Sequence, residues 1–201
     1  MSNHLPLFTL AAVLFLAPAP GTKTANVSDP EPIVLTEKKN NRIEDDIQIP
    51  WLNERRLTWD DFQCEPKRNT DAVASTSTSL GIAYQVKGGR LSYSVTCTFS
   101  KVKSWGLLKT EYILAHEQAH FDITELHARR LHEALEAYDF SKRNYKADVA
   151  AIYERIVKEK EAMQAAYDGE TDHSRNRKIQ FEWLAKIDTM LQETADYSAY
   201  P

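Results

Sequence analysis

The stretch that decides the fold is Leu91-Ser92-Tyr93-Ser94-Val95-Thr96-Cys97-Thr98-Phe99-Ser100, in which apolar and polar side chains alternate strictly. A period of two is typical of a strand with one buried face. Residues 80–86 alternate in a similar way, and Lys87-Gly88-Gly89-Arg90 between the two segments favours the positive φ angles of a tight turn. The stretch therefore predicts an antiparallel hairpin.

After the hairpin the spacing of apolar residues becomes helical. It predicts three helices, over residues 109–138, 145–167 and 174–194, and Asp168-Gly169 is expected to end the second one because glycine terminates helices readily. Before the hairpin, residues 57–62 are expected to form a short strand and turn. Strands followed by helices indicate the α+β class: a small antiparallel sheet or hairpin followed by three helices.

The first predicted helix contains His116-Glu117-Gln118-Ala119-His120, the pattern H-E-x-x-H. Residues four apart lie about 6 Å from each other on one helix face, so the two imidazoles can bind one Zn²⁺. Glu117 projects beside them, where it can take a proton from a zinc-activated water. The apolar residues 112–115 indicate a buried helix, in which an unpaired polar trio is costly. The motif therefore predicts one zinc ion per chain rather than a surface helix.

A catalytic zinc usually has three protein ligands, so a third must be found. His127 lies about 10.5 Å further along the helix axis than His120, and Glu125 points about 140° away from His120. His173 follows the second helix in a predicted loop that can fold back over the first, and it is the favoured third ligand. A helix-borne carboxylate also remains possible, at Glu136, Glu154 or Glu161.

The N-terminal segment predicts export. Residues 5–17 are apolar but too few to span a bilayer, so residues 1–21 are interpreted as a cleavable signal peptide and the protein as periplasmic or secreted, with no membrane span when mature. Residues 22–47 are expected to be a disordered linker, and 48–201 a zincin-like metallopeptidase domain. Export favours a disulfide between Cys64 and Cys97.

The length and charge of the chain indicate its domain count and exclude some classes of partner. A chain of 201 residues suits one domain with a sizeable core. The net charge of −4 and the scattered Lys and Arg residues argue against nucleic-acid binding. Neither the length nor the charge of the chain indicates its oligomeric state.

The helix motif, from His116 to Glu125 and on to Ala128-Arg129, resembles a family of bacterial secreted zinc-dependent proteases catalogued as domain of unknown function 922. The resemblance covers about residues 57–183. It implies a peptidase-like zinc site and supports His173 as a ligand, although Ser174 stands where the family often has glycine. The other similar segments are 57–62, Phe99 with Ser104-Trp105, and Tyr167-Asp168 with Thr171, His173, Gln180 and Trp183.

These observations predict an exported zinc metallopeptidase acting on peptide or protein substrates, with Glu117 as general base and proton shuttle. Two further roles are open: Asp122 orienting a ligand histidine or lying on the surface, and Tyr167 donating to an oxyanion or packing in the core. The edge of strand 91–100 could bind an extended peptide by strand addition. The alternative is a non-catalytic envelope protein, with a structural zinc or none and with helices that bind a partner.

Overall fold

The α+β class is confirmed by a computed structural model that describes residues 32–36, 48–52, 54–67 and 70–201. The elements are β1 (Ile33–Thr36), β2 (Gln48–Pro50), β3 (Ala74–Ser75), β4 (Thr78–Lys87), β5 (Arg90–Ser100), β6 (Trp105–Gly106), α1 (Glu111–Glu136), α2 (Tyr145–Thr171) and α3 (Arg177–Glu193). Four strands form an antiparallel sheet in the order β1-β4-β5-β2, and β3 pairs with β6 in a second, two-stranded sheet. The three α-helices follow the strands in the chain.

The predicted hairpin is β4 and β5. Its two-residue turn contains Gly88 and Gly89 with φ angles of 59° and 79°, as the double glycine predicts. Leu80 lies opposite Cys97 in the register, and all three of Leu80, Cys97 and Phe99 are buried. The alternating face of the hairpin therefore covers the core.

Helix α1 is buried on nearly every side. Thr110 caps it, its hydroxyl accepting a hydrogen bond from the Ile113 amide over 3.2 Å. One apolar cluster, which includes Phe99, Phe121 and Ile156, fills the space between the main sheet, α1 and α2. A second cluster joins α1 to α2 and α3 and consists of Ala119, Ile123, Tyr167, Trp183 and Ile187. Because α1 lies between the two clusters, several of its polar side chains are shielded from solvent.

The prediction that Asp168-Gly169 ends the second helix is wrong. Helix α2 continues to Thr171 and ends where Asp172, His173 and Ser174 adopt positive φ angles of 48°, 48° and 71°. One glycine costs a helix only about 1 kcal/mol, which packing readily outweighs. The Thr171 hydroxyl also donates to the carbonyl of Tyr167 over 2.7 Å and supports the last turn. Asp168 therefore stays on the helix.

The prediction of a short strand and turn at 57–62 is also corrected. Trp59–Asp61 form a 3₁₀ helix. The Asp61 carboxylate accepts hydrogen bonds from the amide and hydroxyl of Thr58, at 3.0 and 3.1 Å, and pairs with Arg55. These bonds to one buried carboxylate favour the tight turn over an extended strand. The aromatic side chains still pack beneath the hairpin, as Phe62 against Phe99 shows.

Part of the segment interpreted as a linker belongs to the sheet. Within 22–47, Ile33–Thr36 form β1 and pair antiparallel with β4. Ile33 and Leu35 pack against the apolar core, and this contact stabilises the strand. The predicted signal peptide at 1–21 and the remainder of the linker lie outside the described residues. Among the described residues, no helix is long and apolar enough to cross a bilayer.

The predicted disulfide is not formed, since Cys64 and Cys97 are both free thiols. Cys97 lies on the buried face of β5, where burial, followed by the charges of Glu125 and Asp122, raises the pKa of its thiol. Cys64 lies in a loop whose amide donates to the Ser104 carbonyl over 2.9 Å. The two cysteines therefore lie in different surroundings, Cys97 on the buried face of β5 and Cys64 in a loop bonded to Ser104.

The predicted peptide-binding edge at 91–100 is wrong as well. Strand β5 lies inside the sheet, between β4 and β2. On the side away from β4, its Cys97 carbonyl accepts from the Trp51 amide and its Val95 amide donates to the Pro201 carbonyl. Together with the pairing to β2, these bonds occupy the outer edge of β5 from Val95 to Ser100, where strand addition is therefore blocked.

Candidate metal centre

His116 and His120 lie on one face of α1, as the H-E-x-x-H spacing predicts. Their ring centroids are 4.9 Å apart and their planes are nearly perpendicular. His116 is buried and His120 is half-buried. The His116 ring stacks on Tyr167, with centroids 4.6 Å apart, so packing fixes its plane.

Asp168 of α2 completes a compact group with the two histidines. Its Oδ1 lies 3.2 Å from His116 Nε2 and 3.1 Å from His120 Nε2. The three candidate ligand atoms all lie within 4.8 Å of one another. Among the described residues, this is the group of histidine, cysteine or acidic side chains with the spacing of a metal site.

Sequence reasoning missed Asp168 because it placed this residue at a helix end. The available signal was the spacing of Gln164 and Asp168, which are four apart and therefore share one face of a helix that continues past Gly169. That face of α2 lies against the H-E-x-x-H face of α1. Both residues line the same cleft as the histidines.

His173 lies beside this group but not within it. Its Nδ1 is 3.7 Å from Asp168 Oδ1, and its side chain is 62% exposed. The positive-φ turn after α2 directs it to the mouth of the cleft, and its amide donates to the Asp168 carbonyl over 2.9 Å. The structure thus brings His116 and His120 together with Asp168, and leaves His173 as a more distant neighbour of the same carboxylate oxygen.

The group opens into a cleft of about 560 Å³. Glu117 lines it and is buried, and its Oε2 has no hydrogen-bond partner within the described part of the chain. The Thr76 hydroxyl donates to the Glu117 carbonyl over 3.2 Å and ties α1 to the segment after β3. An unpartnered buried carboxylate oxygen beside two imidazoles is a suitable proton acceptor.

The charges of the centre support each other. Burial alone disfavours ionised Asp168, but hydrogen bonds from His116 and His120 outweigh it and hold the pKa of this carboxyl well below its usual range. Burial also disfavours charged His120, yet Asp168 and the charge of Glu117 raise its pKa overall. The pocket therefore favours a positive charge close to Asp168.

The other residues considered from the sequence lie elsewhere. Asp122 is neither a surface residue nor a histidine partner: it is buried and accepts hydrogen bonds from Trp51 and Gln118. His127 is fully buried in α1, and its Nδ1 donates to the Ile123 carbonyl over 2.7 Å. The considered acidic residues lie outside the compact group: Glu125 pairs with Arg129, Glu136 is near His132, Glu154 is exposed, and Glu161 lines the cleft.

Tyr167 is fully buried in the second apolar cluster, between His116 and Trp183. Its hydroxyl has no hydrogen-bond partner among the described residues. Burial raises its pKa well above the usual range, and the charges of Glu117 and Asp168 add to the effect. This position agrees with packing rather than with donation to a substrate.

The family described as "Bacterial protein of unknown function (DUF922)" has a model that matches residues 53–174. Neither the curated proteins nor the solved structures contain a match to this chain. The matched segment contains the H-E-x-x-H helix, Asp168 and His173. Since it covers more than half of the 201 residues, the chain belongs to this family of bacterial proteins of unknown function.

Proposed function

We propose that this protein is a zinc-dependent metallopeptidase that holds one Zn²⁺ through His116, His120 and Asp168. The observation that carries the proposal is the compact group of two imidazole nitrogens and one carboxylate oxygen, all within 4.8 Å of one another. Two histidines and a carboxylate form a donor set of catalytic zinc sites in peptidases, with a fourth position left for water or substrate.

The residues around this group fit a divalent cation. Asp168 Oδ1 lies 3.2 Å from His116 Nε2 and 3.1 Å from His120 Nε2. With both imidazoles neutral, the three side chains together carry a net negative charge. A second carboxylate, Glu117, is buried beside them with an unpartnered oxygen. Two acidic groups in so small a volume are stabilised by a bound cation, because burial otherwise penalises their charge.

A Zn²⁺ in this position would act as a Lewis acid, lowering the pKa of a water and polarising a carbonyl. Glu117 accepts the proton of the attacking water and then donates it to the leaving amine. Within the described part of the chain, Glu117 Oε2 has no donor that would compete for this proton.

A peptide substrate is supported by the cleft wall. Residues 72–76, which include β3, line the cleft opposite the histidines. Strand β3 pairs with β6 on one side, so an extended peptide can add to its other side. This short strand replaces β5 as the proposed site of strand addition. The apolar segment at 5–17 supports a periplasmic or secreted location.

A non-catalytic zinc protein is the second candidate, and the position of His173 favours it. With Nδ1 at 3.7 Å from Asp168 Oδ1, this imidazole is near enough to act as a fourth ligand after a small movement. Four protein ligands would close the coordination shell, as in structural zinc sites. The two functions therefore differ in whether a position remains for water.

The test is hydrolysis of a broad peptide library by zinc-loaded wild type, Glu117→Gln and Glu111→Gln. Glu111 is an exposed glutamate of the same helix and provides the matched control. We expect Glu117→Gln to keep its zinc and lose about 10²–10⁴ in rate, because glutamine cannot accept the proton. Unchanged turnover in Glu117→Gln contradicts its role as base. A zinc-loaded wild type without turnover supports the structural alternative.

A further inference from the structure

Gln164 on α2 contacts His120 at two points. Its Oε1 accepts a short hydrogen bond from His120 Nδ1, and its Nε2 donates to the backbone carbonyl of His120 over 2.8 Å. We infer that Gln164 is a positioning residue, which holds His120 in the tautomer and orientation that leave Nε2 as the metal-binding atom. This inference rests on the metal site of the proposed function and deepens it.

The two contacts fix the orientation of the amide. A backbone carbonyl can only accept a hydrogen bond, so the nitrogen of the Gln164 amide must face it. The amide oxygen then faces the imidazole and, being an acceptor, requires the proton to be on Nδ1. His120 Nε2, which lies 3.1 Å from Asp168 Oδ1, is thereby the nitrogen directed to the metal centre. The opposite orientation would set the amide oxygen against the carbonyl oxygen of His120 and lose the hydrogen bond between them.

A buried polar chain holds the Gln164 amide in place. The Thr124 hydroxyl donates to the same His120 carbonyl over 3.1 Å, and it lies 3.4 Å from Gln164 Nε2. Thr124 is also hydrogen-bonded to the Thr78 hydroxyl of β4 over 2.8 Å. The position of His120 is therefore set jointly by the sheet, α1 and α2, which limits rotation of its ring.

His116 is held in a different way. Its Nδ1 has no hydrogen-bond partner among the described residues, and its ring is fixed by stacking on Tyr167 at an interplanar angle of 22°. A substitution at Gln164 therefore changes the support of one ligand and leaves that of the other intact. Such a change should weaken the site without abolishing it.

The experiment compares zinc affinity in Gln164→Met, Gln164→Glu and wild type, by competition with a chromophoric chelator. Methionine has a similar length but offers no amide. We expect Gln164→Met to lower the affinity about 10–100-fold, which is the usual effect of losing such an outer partner. Glutamate retains an acceptor for the Nδ1 proton, so Gln164→Glu should recover to within about 10-fold of wild type.

A second readout reports the hydrogen bond itself. In the zinc-loaded wild type, the His120 Nδ1 proton should give a downfield imidazole resonance that exchanges slowly with water. The resonance should be lost in Gln164→Met and kept in Gln164→Glu. A residue with a merely structural role would not move this signal in that order.

Gln118→Met is the matched control. Gln118 is a buried glutamine that accepts from the Leu57 amide over 2.8 Å and donates to Asp122 over 2.7 Å. Its side-chain bonds go to those two residues rather than to an imidazole. Its substitution should lower the free energy of unfolding and leave zinc affinity unchanged.

The outcomes separate this inference from the proposed function. Equal zinc affinity in wild type and Gln164→Met overturns the positioning role alone. An affinity in Gln164→Glu as low as in Gln164→Met shows that the acceptor is not what matters, and also overturns it. A wild type that binds no zinc overturns the proposed metal site, and the positioning role with it.

Discussion

Asp168 Oδ1 lies 3.2 Å from His116 Nε2, although the two residues are 52 positions apart in the chain. The contact joins α2 to the face of α1 that carries His116 and His120. It also favours Asp168 over His173 as the third ligand, because Asp168 lies closer to both histidines than His173 lies to Asp168.

The first prediction is that Asp168→Ala weakens zinc binding much more than His173→Ala. Removal of Asp168 takes away the carboxylate of the compact group, so the loss should exceed the roughly 10–100-fold effect of an outer partner. His173 is exposed and more distant, and its substitution should change the affinity by less than about 10-fold. Competition with a chelator measures both values, and circular dichroism verifies that each variant is folded. The reverse order would make His173 the third ligand.

The second prediction concerns the free thiols. Cys64 is half-buried, whereas Cys97 is buried and its pKa is raised, first by burial and then by the charges of Glu125 and Asp122. Because the thiolate is the reactive form, iodoacetamide should modify Cys64 rapidly and Cys97 only after unfolding. Intact mass should show one adduct in native protein and two in urea. No adduct without a reductant would instead indicate the disulfide that the sequence predicts.

The third prediction is a pH dependence that arises from His127. Burial lowers the pKa of this imidazole to about 4, against 6.5 for an exposed histidine. As the pH falls from 6.5 to 4, the unfolded chain binds a proton that the folded chain does not. The free energy of unfolding should therefore fall, by about 2–3 kcal/mol at pH 4.5 relative to pH 7.

His127→Gln isolates this effect, since glutamine does not titrate and can still donate to the Ile123 carbonyl. Urea unfolding of the metal-free proteins at both pH values gives the comparison. The variant should lose about 2–3 kcal/mol less than wild type on acidification. Other buried carboxyls titrate in both proteins, so their contributions cancel in the difference. Parallel losses in the two proteins would show that His127 does not remain neutral in the folded state.

Local patterns predicted those parts of the fold that local physics determines. The β4–β5 hairpin and α1 follow from apolar spacing and from the double glycine. The end of α2 differs from the prediction because the packing of Tyr167 holds the helix together beyond Gly169, and the local pattern does not report that packing. Strand β1 was missed for a similar reason, as its order depends on pairing with β4.

The candidate site also combines residues that a local pattern predicts with a residue that only tertiary packing brings to the site. The positions of His116, Glu117 and His120 are encoded in five consecutive residues of one helix. Asp168 reaches them only through the packing of α2 on α1: its spacing from Gln164 indicates that the two share a helix face, but not that this face meets α1. His173 was favoured because a loop can reach the helix, but the turn after α2 leaves it exposed at the mouth of the cleft.

The last prediction uses two glycines that differ in their surroundings. A Cβ atom on Gly106 of β6 would meet the ring of Trp59, which packs against Phe62 with centroids 4.9 Å apart. Gly169 lies in α2, where a Cβ atom would point into open space. Gly106→Ala should therefore cost about 1–3 kcal/mol through overpacking, whereas Gly169→Ala should stabilise the helix by about 0.5–1 kcal/mol.

Urea unfolding with a chelator present measures both changes without a contribution from metal binding. The Trp59 ring has to shift in Gly106→Ala, so its near-ultraviolet circular dichroism should also change, and that of Gly169→Ala should not. Trp105, the neighbour of Gly106, lines the cleft. For this reason, Gly106→Ala should also bind molecules at the zinc site less tightly than wild type. A stabilising Gly106→Ala would mean that the Trp59 ring is free to move. A destabilising Gly169→Ala would mean that α2 does not continue past Asp168, and the helical position of the proposed third ligand would fail with it.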